Sequence, residues 1–352
     1  MHSVKSWVVN GLKTKPAVRK TRSLTHLAVS YVADARRFSR RSGVVFSERR
    51  EIVEAEITMD YHRVEKGLSL PQPKPWFGRD VVERLVSNLA LYMDTDDFDV
   101  SIAGASMGAL LTYEKTFGDI ECDWWKEVSA VLVQLEGALV DAEEHYGGVK
   151  SPREDSSDST GSWSFEHLAE SRSSIRNFSD ELVDRARLEH AIVIAQKTPS
   201  VCNRQSSRVR IYPRGVAADS VLALQNGNRG FGHTASHVLV VTSDLTAFVS
   251  AGERNQPFVD GGMFAMSLVY ALQDQGISSC CLNWSTVKAQ DAKIRRLLSI
   301  EDDEAVVMLI AVGFAADNAK ATISRKRLLS RVILESGPPE FRALTTSGES
   351  RG

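Results

Sequence analysis

Cysteine is scarce, with four residues in 352, at positions 122, 202, 280 and 281. None shows C-x-x-C spacing or a paired histidine, so neither a zinc site nor a disulfide framework is indicated, and a reducing compartment is the simplest inference. Cys280 and Cys281 are neighbours, the pattern of two small packing residues. No apolar run reaches the length of a signal peptide or a membrane span, which points to a cytoplasmic protein. G-x-G-x-x-G is missing, so there is no sign of a Rossmann dinucleotide site. The small-residue stretch around Gly104 and Gly108 lacks the Lys-Ser/Thr ending of a phosphate loop and is expected to serve close helix packing. Acidic residues are nearly missing from residues 1 to 50, where twelve Lys or Arg face only Asp34 and Glu48. That start carries +10, so the remainder carries −12 to give the chain its −2. It would suit a polyanion or an anionic membrane surface, or it is a solvated helix and tail; nothing predicts specific nucleic-acid recognition.

What is present is ordinary for a soluble globular protein of two domains, with 43% hydrophobic and 25% charged residues. Residues 1 to 22 look frayed or loosely helical. Helical periodicity runs through 24–38, 48–64, 79–93 and 124–144, so residues 1–146 are expected to form an all-helical N-terminal domain. Between 61 and 78 a charged helix end meets a Pro-spaced loop. His62 and Glu65 share a helix face there, but no third ligand is evident and Met59 stands where a di-iron E-x-x-H would need Glu. His62, Glu65 and Lys66 are expected to hydrogen-bond a folded loop, the alternative being a site for an unknown ligand; no metal is expected. Residues 147–164, rich in Gly, Ser, Asp and Pro, cannot support a core and are expected to form a flexible linker. A second domain then spans 165–335, and 336–352 is a tail.

The second domain opens with Arg172, Ser174 and Arg176 at alternate positions, which in an extended segment converge on one anion as a phosphate clamp. Ser179 is expected to cap a helix with Asp180 and Glu181 in its first turn. Leu188, Ala191, Ile192 and Ala195 form its apolar stripe, and Thr198 before Pro199 ends it. A loop of hydrogen-bonding groups comes next: Ser200, Asn203, Arg204 and Gln205. Strands are expected at 208–212, 237–242 and 305–314, and a helix apolar on nearly every side at 259–275, buried in the domain or against a second copy.

A clamp, a helix and an amide-bearing loop suit a ligand with phosphate at one end and a polar heterocycle at the other, as in FMN. The pattern R-x-S-x-R-x-F, a helix, then P-S-x-x-N-x-Q resembles the nitroreductase family over roughly 165–335. The resemblance implies an α+β fold, a nitroreductase-like mixed sheet flanked by helices, here preceded by the helical domain. It implies that Arg172, Ser174 and Arg176, with Ser173, hold the FMN phosphate, and that Ser200, Asn203 and Gln205, with Pro199, meet the ring. The segment GISSCCLNW, 276–284, resembles a turn under the flavin and would bring Cys281, Leu282 and Asn283 near it, chiefly through main-chain donors. Arg325 and Arg327, with Lys326 as competitor, would close on the phosphate. The family further implies a homodimer with flavin at the shared interface, NAD(P)H as electron donor, and a nitroaromatic, quinone-like or unknown acceptor. The alternatives are a flavin-dependent dehydrogenase or oxidase, and a non-catalytic flavin-binding protein whose helical domain binds a partner. Flavin carries such chemistry, so no side chain is nominated as catalytic.

Overall fold

A computed structural model describes residues 16–41, 49–95, 97–139, 147–152 and 164–334. The first half is helical: α1 (Pro16–Arg41), α2 (Arg50–Leu68), α3 (Arg79–Met93), α4 (Val100–Phe117) and α5 (Asp123–Gly137). Helix α3 has the bounds that its spacing predicts, with Val82, Leu85, Val86 and Leu89 buried on one face. Helix α4 is buried from Ser101 to Leu110, and its small residues let backbone come close. A side chain at Gly147 would meet the Ala105 carbonyl oxygen at 2.0 Å, so that position needs glycine.

Charge organises α2 as much as apolar contact does. Buried Asp60 takes a two-pronged ion pair from Arg84 at 2.7 and 2.8 Å and another from Arg63 at 3.0 Å. Buried Glu54 accepts from Arg50 and the Tyr92 hydroxyl, both at 2.9 Å, and from Arg331 at 2.7 Å. Buried carboxylates survive only when so paired.

Residues 147–150, assigned by composition to the linker, form strand β1 (Val149–Lys150), paired with β6 (Ala321–Thr322). The backbone there, not its glycine-rich composition, decides: Gly148 sits at φ 103° against Thr112, a conformation only glycine adopts without strain. Residues 153–163 of that linker lie outside the described residues.

The second half is a sheet of order β2-β3-β5-β4, all pairs antiparallel, comprising β2 (Ser207–Pro213), β3 (His237–Asp244), β4 (Ser278–Asn283) and β5 (Glu304–Gly313). The implied mixed sheet has its parallel element in one bridge, Ser174 to Ser279. Helices α6 (Phe165–Ser171), α7 (Arg185–Ala195), α8 (Val216–Leu222), α9 (Gln256–Asp274) and α10 (Lys288–Leu298) surround it. One face packs Leu239, Val241, Ile310 and Val312 against α7 and α9; the other packs Val238, Val240 and Leu309 with Phe231 and Ile294.

The two halves are knitted together. Leu70, just past α2, packs into the core of the sheet half, and Val149 packs into the core of the helical half. Arg331 reaches back to Glu54 and to Asp99, and Arg254 holds Asp34 of α1 at 2.7 Å. Among the described residues, no helix is long and apolar enough to cross a membrane.

Candidate functional site

The clamp is built by an edge. Ser164 caps α6 by accepting from the His167 amide at 3.1 Å, and after Ser171 the chain extends. Ser174 bridges Ser279 of β4, the Ile175 amide donates to the Ser279 carbonyl at 3.0 Å, and Ile175 bridges Ala321 of β6. The segment is thus wedged between the open edge of β4 and β6, with Ile175 buried in the core. Arg172, Ser174 and Arg176 alternate with it, as period-two geometry requires.

Arg176 is only 5% exposed. Its Nη1 donates to the Ser174 carbonyl at 3.3 Å, and its Nε has no hydrogen-bond partner. Such a buried donor costs about 1–3 kcal/mol unless something occupies it. Among the described residues no carboxylate forms an ion pair with Arg172, Arg176 or Lys66. Burial, then Arg176, holds the Lys66 ammonium below its ordinary pKa. Burial pushes the Cys280 thiol up, while Arg176, Lys66 and Arg172 pull it the other way.

Arg325 and Arg327 come after β6 through Ser324, a non-glycine residue at φ 49° whose hydroxyl meets that of Thr322 at 2.8 Å. Strained backbone of this kind is held by its surroundings and aims the residues next in the chain. Arg325 Nη1 lies 3.6 Å from where a side chain at Gly104 of α4 would begin, and the Tyr61 hydroxyl is raised to about 12 by burial, then Glu65, with Arg327 and Arg325 opposing.

The amide loop is a different object. Helix α7 begins at Arg185, six residues after Ser179, because Asp184 takes the cap by accepting from the Ala186 amide at 3.0 Å. Ser179 instead donates its amide to the Phe314 carbonyl at 2.8 Å, and its hydroxyl is buried without a partner. After Pro199, Cys202, Asn203 and Gln205 all lie at φ 49–53°, three left-handed non-glycine residues within four positions. Ser200 Oγ accepts from the Gln205 amide at 2.9 Å, and Gln205 Nε2 donates to Asn203 Oδ1 at 3.2 Å. Buried Asp260 of α9 anchors the loop by accepting from the Val201 amide at 3.2 Å and from Gln256 at 2.8 Å. A cavity of about 70 Å³ lies under it, lined by Thr198, Ser200, Gln205, Asp260 and Phe264. Asn203 and Gln205 themselves are exposed.

Residues 278–283 form the edge strand β4 and not a turn, because they pair with β5 from Ser278–Gly313 to Asn283–Met308. Leu282 points into the core, whereas Cys281 and Asn283 are exposed. Gln225 donates to the Asn283 carbonyl at 3.0 Å.

Clamp and loop stand at opposite edges and opposite ends of one sheet. Ser207, next to the loop, aligns through Ser243 with Ala305, while the clamp's Ser279 aligns with Val312. That is about 24 Å along the strands and about 14 Å across them. Each chain therefore carries both groups without joining them. Lys66, Tyr61 and Asp260 are absent from the residues expected at the site. Lys66 was signalled by its place in the charged segment at 61–66, whereas Asp260 is a lone acid inside an apolar helix and gave no chemical pattern.

An antiparallel sheet between helices, edged by an extended two-arginine segment, is the frame that the comparisons address. The nitroreductase family model matches residues 169–221 and 211–314, so these residues are a nitroreductase-family domain, preceded by an N-terminal helical region. Similar solved structures include a nitroreductase family protein from Clostridium difficile, 18% identical, covering 50% of this chain and 100% of its own, with a TM-score of 0.43. A protein named as a nitroreductase from Desulfovibrio desulfuricans, in complex with FMN, is 19% identical over 49% of this chain and 97% of its own, TM-score 0.43. One named as an NAD(P)H:FMN oxidoreductase from Staphylococcus epidermidis is also 19% identical, over 49% and 95%, TM-score 0.43. Comparison with curated proteins finds no match.

Proposed function

We propose that the protein is an FMN-dependent oxidoreductase that passes electrons from NAD(P)H to a small acceptor of the nitroaromatic or quinone-like kind. The observation that carries this reading is Arg176: a buried guanidinium with an idle donor, in one extended segment with Arg172 and Ser174, and lacking a carboxylate partner among the described residues. A phosphate monoester supplies the missing charge and acceptor atoms. Arg172, Ser173, Ser174, Arg176, Arg325 and Arg327 would hold the phosphate. Pro199, Ser200, Asn203 and Gln205 would meet the ring, with the exposed edge of β4 at Cys281 to Asn283 lying along it. When bound, flavin accepts hydride from a reduced nicotinamide and passes electrons on.

Because clamp and loop are far apart on one sheet, the site is assembled from two copies, the clamp of one meeting the loop of its partner. Helix α9 supports this: Phe258, Val259, Met263 and Met266 form an exposed apolar outer face, next to the loop that Asp260 anchors. The chain's own residues then position the ring, exclude water and fix its hydrogen bonds. Cytoplasmic location fits this chemistry.

The test is spectroscopic. Purified protein is expected to show flavin absorbance that NAD(P)H bleaches without oxygen and that an added quinone restores. Flavin that a nicotinamide cannot bleach would point to the non-catalytic reading, and protein that takes up no flavin would remove the proposal.

A further inference from the structure

The segment from Tyr61 to Lys66 belongs to the helical half, and the flavin fold as a family domain begins a hundred residues later. Yet the structure brings its end onto the clamp through a continuous set of contacts. Glu65 is fully buried; its Oε1 accepts from the Gly148 amide of the turn into β1 at 3.1 Å, and its Oε2 meets His62 Nδ1 at 3.1 Å. β1 pairs with β6, the Ile323 amide donates back to Gly148 at 3.1 Å, and β6 bridges the clamp at Ile175. Leu70, two residues beyond α2, lies against Gly230 and packs into the sheet core, fixing the helix end from the other side. Lys66 lies between these anchors, half-buried, on a helix that packs against β6.

Helix geometry leaves Lys66 little choice. Glu65 is tied toward β1, so its neighbour, turned about 100° round the axis, must leave on another side. Beyond it, α2 packs against β6, and β6 bridges the clamp at Ile175. A half-buried lysine with no carboxylate paired to it, its ammonium disfavoured by burial and then by Arg176, would be stabilised by an anion bound at the clamp.

We infer that Lys66 is a phosphate ligand supplied by the helical domain to the clamp, so that the anion pocket is shared between the two halves of one chain, with Glu65 as the residue that positions it. This rests on the flavin reading for the identity of the ligand, and the experiment separates the two. Full-length apoprotein carrying Lys66→Met or Lys66→Arg is titrated with FMN and, separately, with riboflavin, which lacks the phosphate; inorganic phosphate is assayed by the shift it causes in melting temperature. Lys66→Met is expected to weaken FMN by about 10-fold or more while leaving riboflavin unchanged, with Lys66→Arg recovering most of the loss. Glu65→Gln is expected to lower the same FMN-to-riboflavin ratio, which a general loss of packing would not. Equal FMN affinity in wild type and Lys66→Met, or an equal loss for both flavins, overturns the assignment. If wild type binds neither flavin, the flavin reading falls, and the phosphate-induced shift decides for Lys66: present in wild type and lost in Lys66→Met supports it, and the same in both overturns it.

Discussion

The phosphate clamp and the amide loop, the two regions that the proposed flavin site would join, are built in opposite ways. At the clamp, Arg176 is buried with no carboxylate paired to it among the described residues, and its segment bridges β4 and β6, against which α2 packs. At the loop, Asn203 and Gln205 are exposed, the backbone is left-handed at three residues, and only Asp260 ties it down from below. The difference bears on where each would get its partner. On the proposed reading, a cluster of like charges would take its counter-ion within one chain, whereas the strained, outward-facing loop beside the apolar face of α9 would be completed by a second copy.

The most forceful way to break this comparison is to remove residues 1–146. The clamp would lose Lys66 and the support of α2, and the sheet core would lose Leu70, so the remaining chain is expected to be insoluble or free of flavin. A soluble yellow fragment would mean that the clamp does not depend on the helical half. Next in size, Arg176→Ala should cost about 1.5–3 kcal/mol in FMN binding, the value of a charged hydrogen bond, with riboflavin unaffected in a fluorescence titration.

Acid sharpens the contrast at the loop's end of the sheet. Glu304 is buried where Arg210 pairs with it at 2.8 Å, Thr242 donates at 2.6 Å and Arg208 at 2.9 Å, and these hold its carboxyl at about 2 against an ordinary 4.5. A depressed carboxylate contributes stability above the unfolded value, and this is lost as pH falls from 4.5 toward 2. Glu304→Gln should lower the melting temperature at neutral pH, by about 1–3 kcal/mol of stability, and flatten that acid dependence. Smallest is Asp260→Ala, which releases the Val201 amide. It should weaken FMN and riboflavin alike by about 0.5–1.5 kcal/mol, because it loosens the ring end and leaves the phosphate alone.

Much of the fold was legible in the residues. Apolar spacing placed α3 to the residue, and the continuous apolar runs at 237–242 and 305–314 are the two central strands. The start of α7 was misplaced because Ser179, Asp180 and Glu181 offer good cap chemistry, but Ser179 is held by Phe314 and the role passes to Asp184. β1 was illegible because glycine signals a turn equally well when its true use is close approach to α4. The extended course of residues 172–176 was legible in their period-two spacing. Lys66 was visible only as part of an unassigned charged segment, because no local rule says that a helix in the first half will pack against β6, more than two hundred and fifty residues later.

The most direct test of a site shared between copies uses two damaged chains. Arg176→Ala breaks only the clamp and Gln205→Ala only the loop, and each variant alone is expected to bind flavin weakly. Co-expressed, differently tagged and purified as the mixed dimer, they should bind one flavin per dimer at wild-type affinity, since one of the two shared sites then has both parts intact. A mixed dimer that binds as weakly as either parent would place clamp and loop in the same chain's site, or in no common site, and would contradict the account.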